Sequence, residues 1–151
     1  MTHPNEAYQQ WRERPEDFKL LERIPFTQKS AQWPLQLFDP VGDEIEMVIL
    51  DTETTGLSAA DDAIIELGMV KLMYSKSLNR ITSIEDVISV YEDPQRPISE
   101  FVTRLTGITD EMVKDQHIDS AWVAEWLSNK PLIVAHNAQF DRPFFEELFQ
   151  N

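Results

Sequence analysis

Residues 47–57 read M-V-I-L-D-T-E-T-T-G-L, an apolar run that ends in two carboxylates and a glycine turn. Because successive side chains of a strand point to opposite faces, Asp51 and Glu53 are predicted to share one face. Two like charges this close repel each other unless a cation lies between them, and hard oxygen ligands suit Mg²⁺ or Mn²⁺. The run therefore predicts the beginning of a metal site at the end of a buried strand.

A second run, residues 135–145, reads A-H-N-A-Q-F-D-R-P-F-F and leads from a short apolar strand into a helix. Proline is unfavourable in a helix interior, so Pro143 predicts that this helix begins near Phe140 or Asp141. Asp141 is then expected in the first turn, held there by the packing of Phe140 and Phe144. Taken alone, Asp141 would be interpreted as an ordinary acid that the helix dipole favours.

The two runs together closely resemble the first and second motifs of the DnaQ-like 3′→5′ exonucleases. Between them, I-I-E-L-G at residues 64–68 is similar to the second strand of that family. L-T-G-I-T-D at residues 105–110 is similar to the segment bordering its nucleotide pocket, although many members have His in place of Thr106. The resemblance covers roughly residues 46–151 in the family's order, and two long motifs with two intervening matches are a specific signal.

The resemblance implies a ribonuclease H-like α/β fold, in which a three-strand antiparallel meander is extended by a parallel strand and flanked by helices. The residue pattern predicts strands over 46–51, 63–73, 83–91 and 132–135, and helices over 99–105, from 109, over 119–127 and from about 141. The apolar face of the helix over 119–127 is expected to comprise Trp122, Val123, Trp126 and Leu127. The last strand and helix of the family fold are expected to be missing from this chain.

The resemblance also implies a chemistry. In the family, two divalent ions, Mg²⁺ or Mn²⁺, bridge the carboxylates and the scissile phosphate. Asp51 would bridge both ions, while Glu53 and Asp141 would fix them from either side. The residues expected to contact the substrate are Thr54, Thr55, Gly56, Leu57, Thr106 and Asn137.

Three further positions near the first motif have interpretations of their own. Gly56 permits the turn and a close approach of the backbone to a ligand. Leu57 offers an apolar surface on which a base can pack. Glu66 has two open interpretations, either an acid that supports the metal ligands from behind or a charged residue at a strand edge.

Composition restricts the class of protein. The chain has 151 residues, a formal net charge of −14 and no cysteine, which excludes disulfides and thiolate metal sites. This charge argues against a wide basic footprint on duplex DNA, but it permits an enzyme that binds a few terminal nucleotides through metal ions. No signal sequence and no run of transmembrane length is present, so a cytoplasmic protein is expected.

Two regions are predicted along the chain. Residues 1–44 hold five of the nine prolines and two tryptophans, and they are expected to form an arm packed on the main domain. A short helix over residues 15–24 is predicted within that arm, because Pro15 can begin a helix and Pro25 ends it. Residues 45–151 are predicted to form a partial exonuclease domain. A partner-binding arm is the alternative interpretation of the first region.

The third motif of the family, His-x-x-x-x-Asp or its counterpart with Tyr in place of His, supplies a general base and a fourth carboxylate. It does not follow the second motif here, and the histidines do not replace it. His3 lies in the arm, His117 precedes a helix, and His136 belongs to the second motif. We therefore expect the N-terminal part of a larger exonuclease, with little activity in this chain alone.

The expected substrate is the single-stranded 3′ end of a nucleic acid. DNA is favoured because D-T-E-T-T-G-L with H-N-A-x-F-D is most similar to the polymerase-associated branch, which also implies a polymerase or another replication or repair partner. Two alternatives stay open. One is a 3′→5′ exoribonuclease of the same superfamily, and the other is a non-catalytic module that binds nucleic acid or a partner protein.

Overall fold

The computed structural model describes residues 33–150, which form one sheet with helices packed on it. In chain order the elements are β1 (Leu35–Gln36), β2 (Glu44–Thr54), β3 (Ile64–Ser75), β4 (Arg80–Tyr91), α1 (Glu100–Thr106), α2 (Asp110–Val113), α3 (Ser120–Trp126), β5 (Leu132–Ala135) and α4 (Ala138–Glu147). The helix predicted over residues 15–24 lies outside the described residues. The domain boundary after residue 44 stays a prediction, although β1 already pairs with β4.

The sheet is mixed, with the spatial order β1-β4-β3-β2-β5. Strands β2, β3 and β4 form the expected antiparallel meander, and β5 pairs with β2 in parallel. The pairing of Leu50 with Ala135 places the ends of β2 and β5 side by side. The two acidic motifs follow from these two strand ends, so the topology brings both motifs to the same edge of the sheet.

The meander strands are longer than the sequence pattern predicts. Strand β2 was expected over residues 46–51, but it pairs with β3 continuously from Glu44 to Glu53. The apolar pattern marks only the middle of the strand, whereas the hairpin pairing extends through the polar residues on either side. A register shift between Glu53 and Thr54 then bends the end of β2 where the first motif lies.

Alternate residues of β2 point into the hydrophobic core. Val48 and Leu50 are buried and belong to a cluster that includes Phe144 and Phe145 of α4. A second cluster joins Ile65 of β3 to the apolar residues of α1, α2 and the segments beside them, namely Ile98, Val102, Ile108 and Val113. The two clusters fix the helices on the strands that bear the acidic motifs.

Three helices begin with a side-chain cap at the residue where the sequence pattern predicts the helix to start. The side chains of Ser99, Thr109 and Asp119 each accept a hydrogen bond from the backbone of the helix that follows, as their residue types favour. The expected apolar face of α3 is only partly correct. Val123 is fully buried, but Trp122 is exposed, because the seven-residue α3 buries one narrow stripe and Trp122 projects beside it.

The last helix begins earlier than predicted. Helix α4 starts at Ala138 rather than near Phe140 or Asp141, and Pro143 lies inside it. Proline at this position removes one backbone donor from the helix. The packing of Phe144 and Phe145 in the core compensates for that loss, which the local sequence rule does not take into account. Asp141 nevertheless lies in the first turn, as expected.

Strand β5 differs from the meander in its exposure. Leu132, Ile133 and Val134 are all exposed, and β5 has no hydrogen-bonded neighbour on its outer side among residues 33–150. The described part of the sheet therefore ends at β5 on this side. No helix in this part is both long and apolar enough to cross a membrane.

Candidate active site

The first motif places two carboxylates on one face at the end of β2. Asp51 is exposed and Glu53 is half-buried, whereas Leu50, Thr52 and Thr54 between and beside them are buried on the other face. Glu53 lies directly opposite Glu66 of β3 in the sheet register. Burial and the nearby charges of Asp51, Glu66 and Asp141 raise the pKa of Glu53. The strand end therefore concentrates negative charge.

Glu66 lies within a central strand and not at a free sheet edge. Strand β3 is paired on both sides, and the hydroxyl of Ser89 donates to the Glu66 carboxylate over 2.5 Å. Burial raises the pKa of Tyr91, and the nearby charge of Glu66 raises it further. This placement favours the interpretation of Glu66 as an acid that supports the metal ligands from behind.

Asp141 of α4 contacts β2 at Thr52, the residue between Asp51 and Glu53. Its side chain is only 3% exposed, and its Oδ1 accepts hydrogen bonds from the backbone N–H of Thr52 at 3.1 Å and from the Thr52 hydroxyl at 2.8 Å. Since Thr52 points away from the face of Asp51 and Glu53, this pair of hydrogen bonds anchors α4 to the strand behind the carboxylates. The second motif is therefore joined directly to the first.

The three acids fit a hard divalent cation in their chemistry, since each is a carboxylate and Glu53 carries the effect of unbalanced charge. They are not gathered into a closed site. Among residues 33–150, no three Asp, Glu or His side chains are grouped closely enough to hold a metal ion. The structure thus places Asp51 and Glu53 on one face of β2 and hydrogen-bonds Asp141 to Thr52 between them, without closing the three carboxylates around one point.

The turn after β2 contains four of the expected substrate residues. Thr54 is buried and donates to the Gly56 carbonyl at 2.6 Å, while the Thr55 N–H donates to the Ala63 carbonyl at 2.9 Å and closes the loop. Leu57 is 87% exposed at the tip. A Cβ added at Gly56 would lie 2.4 Å from the Asp62 carboxylate, so the glycine permits close approach of this side chain.

The other two expected substrate residues have local roles in helix ends. The Thr106 hydroxyl donates to the Val102 carbonyl and accepts from the Ile108 N–H, both at 3.0 Å, and thereby fixes the end of α1 before Gly107. Asn137 is the exposed N-cap of α4, and its side chain makes no capping hydrogen bond. A role of either residue in substrate binding stays a prediction.

Three residues of this region were missed by sequence reasoning. Thr52 lies between the two carboxylates, and the alternation of the strand could have indicated that it faces the helix. Asp62 and Arg96 lie 34 residues apart, and their side chains meet at 3.3 Å beside Thr55. No local pattern links these two residues, because the β3–β4 hairpin that brings them together lies between them.

The RNase_T family model, which describes exonucleases, matches residues 48–149 and so spans both acidic motifs. The chain belongs to this exonuclease family. This match confirms the resemblance of residues 51–57 and 136–141 of the chain to the DnaQ-like exonucleases. It also confirms the expectation of an enzyme domain.

Two PolC-type DNA polymerases are similar to this chain over a short part of their own length. The PolC-type DNA polymerase III of Caldanaerobacter subterraneus subsp. tengcongensis is 42% identical over 105 residues, which are 68% of this chain and 7% of the polymerase. The corresponding polymerase of Halalkalibacterium halodurans is 34% identical over 129 residues, or 84% of this chain and 8% of the polymerase. The chain thus spans less than a tenth of the length of these relatives.

A solved structure supports the fold. The zinc-bound complex of E. coli exonuclease I with single-stranded DNA matches with a TM-score of 0.53 and 19% identity, covering 70% of this chain and 23% of that chain. At this level of identity the likeness concerns the fold alone. It confirms the expected ribonuclease H-like arrangement of a mixed sheet with flanking helices.

Proposed function

We propose that this chain carries the acidic site of a 3′→5′ exonuclease that removes nucleotides from single-stranded DNA with two divalent ions. The observation that carries the proposal is the pair of carboxylates on one face at the end of β2, where burial and, after it, the neighbouring acids raise the pKa of Glu53. A fold gains nothing from holding repelling carboxylates together unless a cation balances them. The family match over residues 48–149 supports the same conclusion.

In this proposal, Asp51, Glu53 and Asp141 would hold Mg²⁺ or Mn²⁺. The bound ions would supply Lewis-acid stabilisation of the phosphate and a more acidic water. The residues of the turn would position the substrate. Thr54 and Thr55, whose hydroxyls are hydrogen-bonded within the turn, would shape the surface on which the terminal nucleotide lies, and Leu57 would pack against its base. Leu57 is suited to this contact because the loop holds it 87% exposed.

DNA is the favoured substrate, and two comparisons support this choice. The matching polymerases are named as DNA polymerases, and the exonuclease I complex contains single-stranded DNA. The alternative is an exoribonuclease with the same chemistry. Cleavage rates on DNA and RNA strands of the same sequence would separate the two, since the DNA enzyme should shorten the DNA strand faster.

We further propose that the chain by itself cleaves slowly. His117 pairs with Glu92 over 3.1 Å in the segment before α3, and His136 belongs to the second motif, so neither is assigned as the general base. A missing general base costs about 10²–10⁴-fold in rate. At equal enzyme concentration, E. coli exonuclease I should therefore exceed this chain by at least about 100-fold. Comparable rates would contradict this part of the proposal.

The decisive experiment is a long incubation with a 5′-labelled single-stranded oligonucleotide. We expect slow shortening from the 3′ end that needs Mn²⁺ or Mg²⁺, stops in EDTA and is absent in Asp51→Asn. The matched control is Asp61→Asn, which removes the same charge from an exposed acid on the adjacent loop. Shortening that persists in Asp51→Asn would refute the site assignment.

A non-catalytic binding module is the second candidate, and one observation favours it. Residues 33–150 hold no closed group of three metal-binding side chains. A module of this kind would bind a labelled single strand without shortening it, and its affinity would not depend on Mn²⁺. Metal-dependent shortening of the strand would exclude it.

A further inference from the structure

The loop that joins β2 to β3 is organised around one carboxylate. Residues 55–62 form this loop, and the Asp62 carboxylate lies inside its turn. Its Oδ2 accepts a hydrogen bond from the Ser58 N–H at 3.1 Å, and its Oδ1 accepts from the Thr55 hydroxyl at 3.2 Å. The side chain of Asp62 is only 23% exposed. The loop conformation therefore depends on a residue that the proposed chemistry does not use.

Gly56 shows how closely the loop surrounds Asp62. A Cβ at Gly56 would lie between 2.4 and 2.5 Å from three atoms of the Asp62 carboxylate, closer than real Cβ atoms approach. Any other residue at position 56 would displace the carboxylate or open the turn. The glycine of the first motif is thus matched to Asp62.

Arg96 ties the loop to a second part of the chain. It lies between β4 and α1, and its guanidinium donates to the Thr55 hydroxyl at 2.6 Å and to Asp62 Oδ1 at 3.3 Å. The Thr55 hydroxyl also accepts from the Ala63 N–H at 3.1 Å, so its one proton and both lone pairs are used. Arg96 therefore joins the loop to the segment that leads into α1.

We infer that Asp62 and Arg96 are positioning residues for the single-stranded 3′ end, because together they hold the loop that presents Leu57. The inference rests on the proposed function. It assigns to the pair an effect on strand binding and not on metal binding, since both hydrogen-bond to the loop. The exposed tip, with Leu57 87% exposed, can keep one orientation only if the loop beneath it is fixed.

Binding of a 5′-fluorescein-labelled oligonucleotide tests this inference. A phosphorothioate linkage at its 3′ end prevents cleavage in Mg²⁺, and fluorescence anisotropy gives the affinity. Asp62→Asn should weaken binding by about tenfold, the change expected for losing one hydrogen bond to a charged group. Asp61→Asn is the matched control, because Asp61 is exposed and its carboxylate accepts a hydrogen bond from the Ser58 hydroxyl at 3.0 Å, away from Thr55 and Arg96.

Two further measurements separate positioning from charge and from misfolding. Arg96→Lys keeps the charge but loses the planar guanidinium, so it should weaken strand binding about as much as Asp62→Asn. Mn²⁺ affinity should be unchanged in both variants, which also shows that they fold. Full binding by Arg96→Lys, or equal affinities for Asp62→Asn and Asp61→Asn, would overturn the positioning role alone. Absence of binding by the unmodified chain would overturn the proposed function and this inference with it.

Discussion

The two halves of the acidic site are built in opposite ways. At the end of β2, Asp51 is exposed, and burial together with the neighbouring like charges raises the pKa of Glu53. At the start of α4, Asp141 is 3% exposed and accepts two hydrogen bonds from Thr52. The strand half therefore holds carboxylates near one another, whereas the acid of the helix half is buried and hydrogen-bonded through its Oδ1.

This difference separates two tasks that one carboxylate cannot perform equally well. An exposed, repelling pair gains most from a cation, and so it suits metal capture. A buried carboxylate with both donors in place contributes to the stability of the fold and holds the helix against the strand. The comparison predicts that substitutions in the two halves affect stability in different directions.

The largest effect on stability is expected for Asp141→Ala. This change leaves the N–H and the hydroxyl of Thr52 without their buried acceptor, at a cost of about 2–4 kcal/mol in the free energy of unfolding. Asp51→Ala, the same truncation on the exposed strand half, should change it by less than about 0.5 kcal/mol. Urea denaturation in EDTA measures both, and equal losses would remove the distinction between the halves.

Thr52→Val should have an intermediate effect. The change keeps the shape of the side chain but removes the 2.8 Å hydrogen bond to Asp141, so it should cost about 1–2 kcal/mol in stability and about tenfold in Mn²⁺ affinity. Thr52→Ser restores the hydroxyl and should recover most of both.

The control for this variant is Thr82→Val. Thr82 is a buried strand threonine, 1% exposed, whose hydroxyl donates to the Met73 carbonyl at 3.3 Å. It should leave Mn²⁺ affinity unchanged. If Thr52→Val and Thr82→Val bind Mn²⁺ equally well, Thr52 has no part in orienting Asp141.

Glu53→Gln should stabilise the metal-free protein slightly. Because the pKa of Glu53 is raised in the fold, the folded state binds the proton more tightly than the unfolded chain. Protonated Glu53 therefore stabilises the unmodified chain at low pH, and this contribution is lost as the pH rises through the folded pKa. Near neutral pH in EDTA, the variant should melt about 1–3 °C higher, and the difference should vanish near pH 4, about where an ordinary glutamate protonates. A lower Tm at neutral pH would contradict the repulsion described for this half.

Arg142→Ala should have the smallest effect. Arg142 follows Asp141 on α4, but it pairs with Glu146 over 2.7 Å on the helix surface, where its side chain is 73% exposed. Such pairs contribute about 0.3–0.5 kcal/mol. A change in Mn²⁺ affinity in this variant would show that charge near the site, and not the anchoring of Asp141, controls metal binding.

The sequence predicted most of the fold because its signals are local. Apolar runs marked the strands, and Ser99, Thr109 and Asp119 marked three helix starts by cap chemistry. The errors arose where tertiary packing overrides such signals. Pro143 lies inside α4 because its phenylalanine neighbours are held in the core, and Trp122 is exposed because α3 buries only a narrow stripe.

The acids of the candidate site could be named from the sequence, and their role as metal ligands stays a prediction, whereas the residues that hold them in place were not predicted. Asp51, Glu53 and Asp141 stand in two recognisable motifs, and alternation along β2 placed the first two on one face. The hydrogen bonds of Thr52 to Asp141 and of Arg96 to the loop join residues that are 89 and 41 positions apart, respectively. Such pairs follow from strand order and helix packing, which one sequence does not specify.

The most direct test of the account is a Mn²⁺ titration of the intact chain, followed by electron paramagnetic resonance of the free ion. We expect two ions bound at saturation, as the two-metal chemistry requires. Binding should fall by more than about 100-fold in Asp51→Asn, beyond the range for residues that only support a ligand, and it should be retained in Asp61→Asn. Equal binding by the unmodified chain and Asp51→Asn would contradict the assignment of these carboxylates as a metal site.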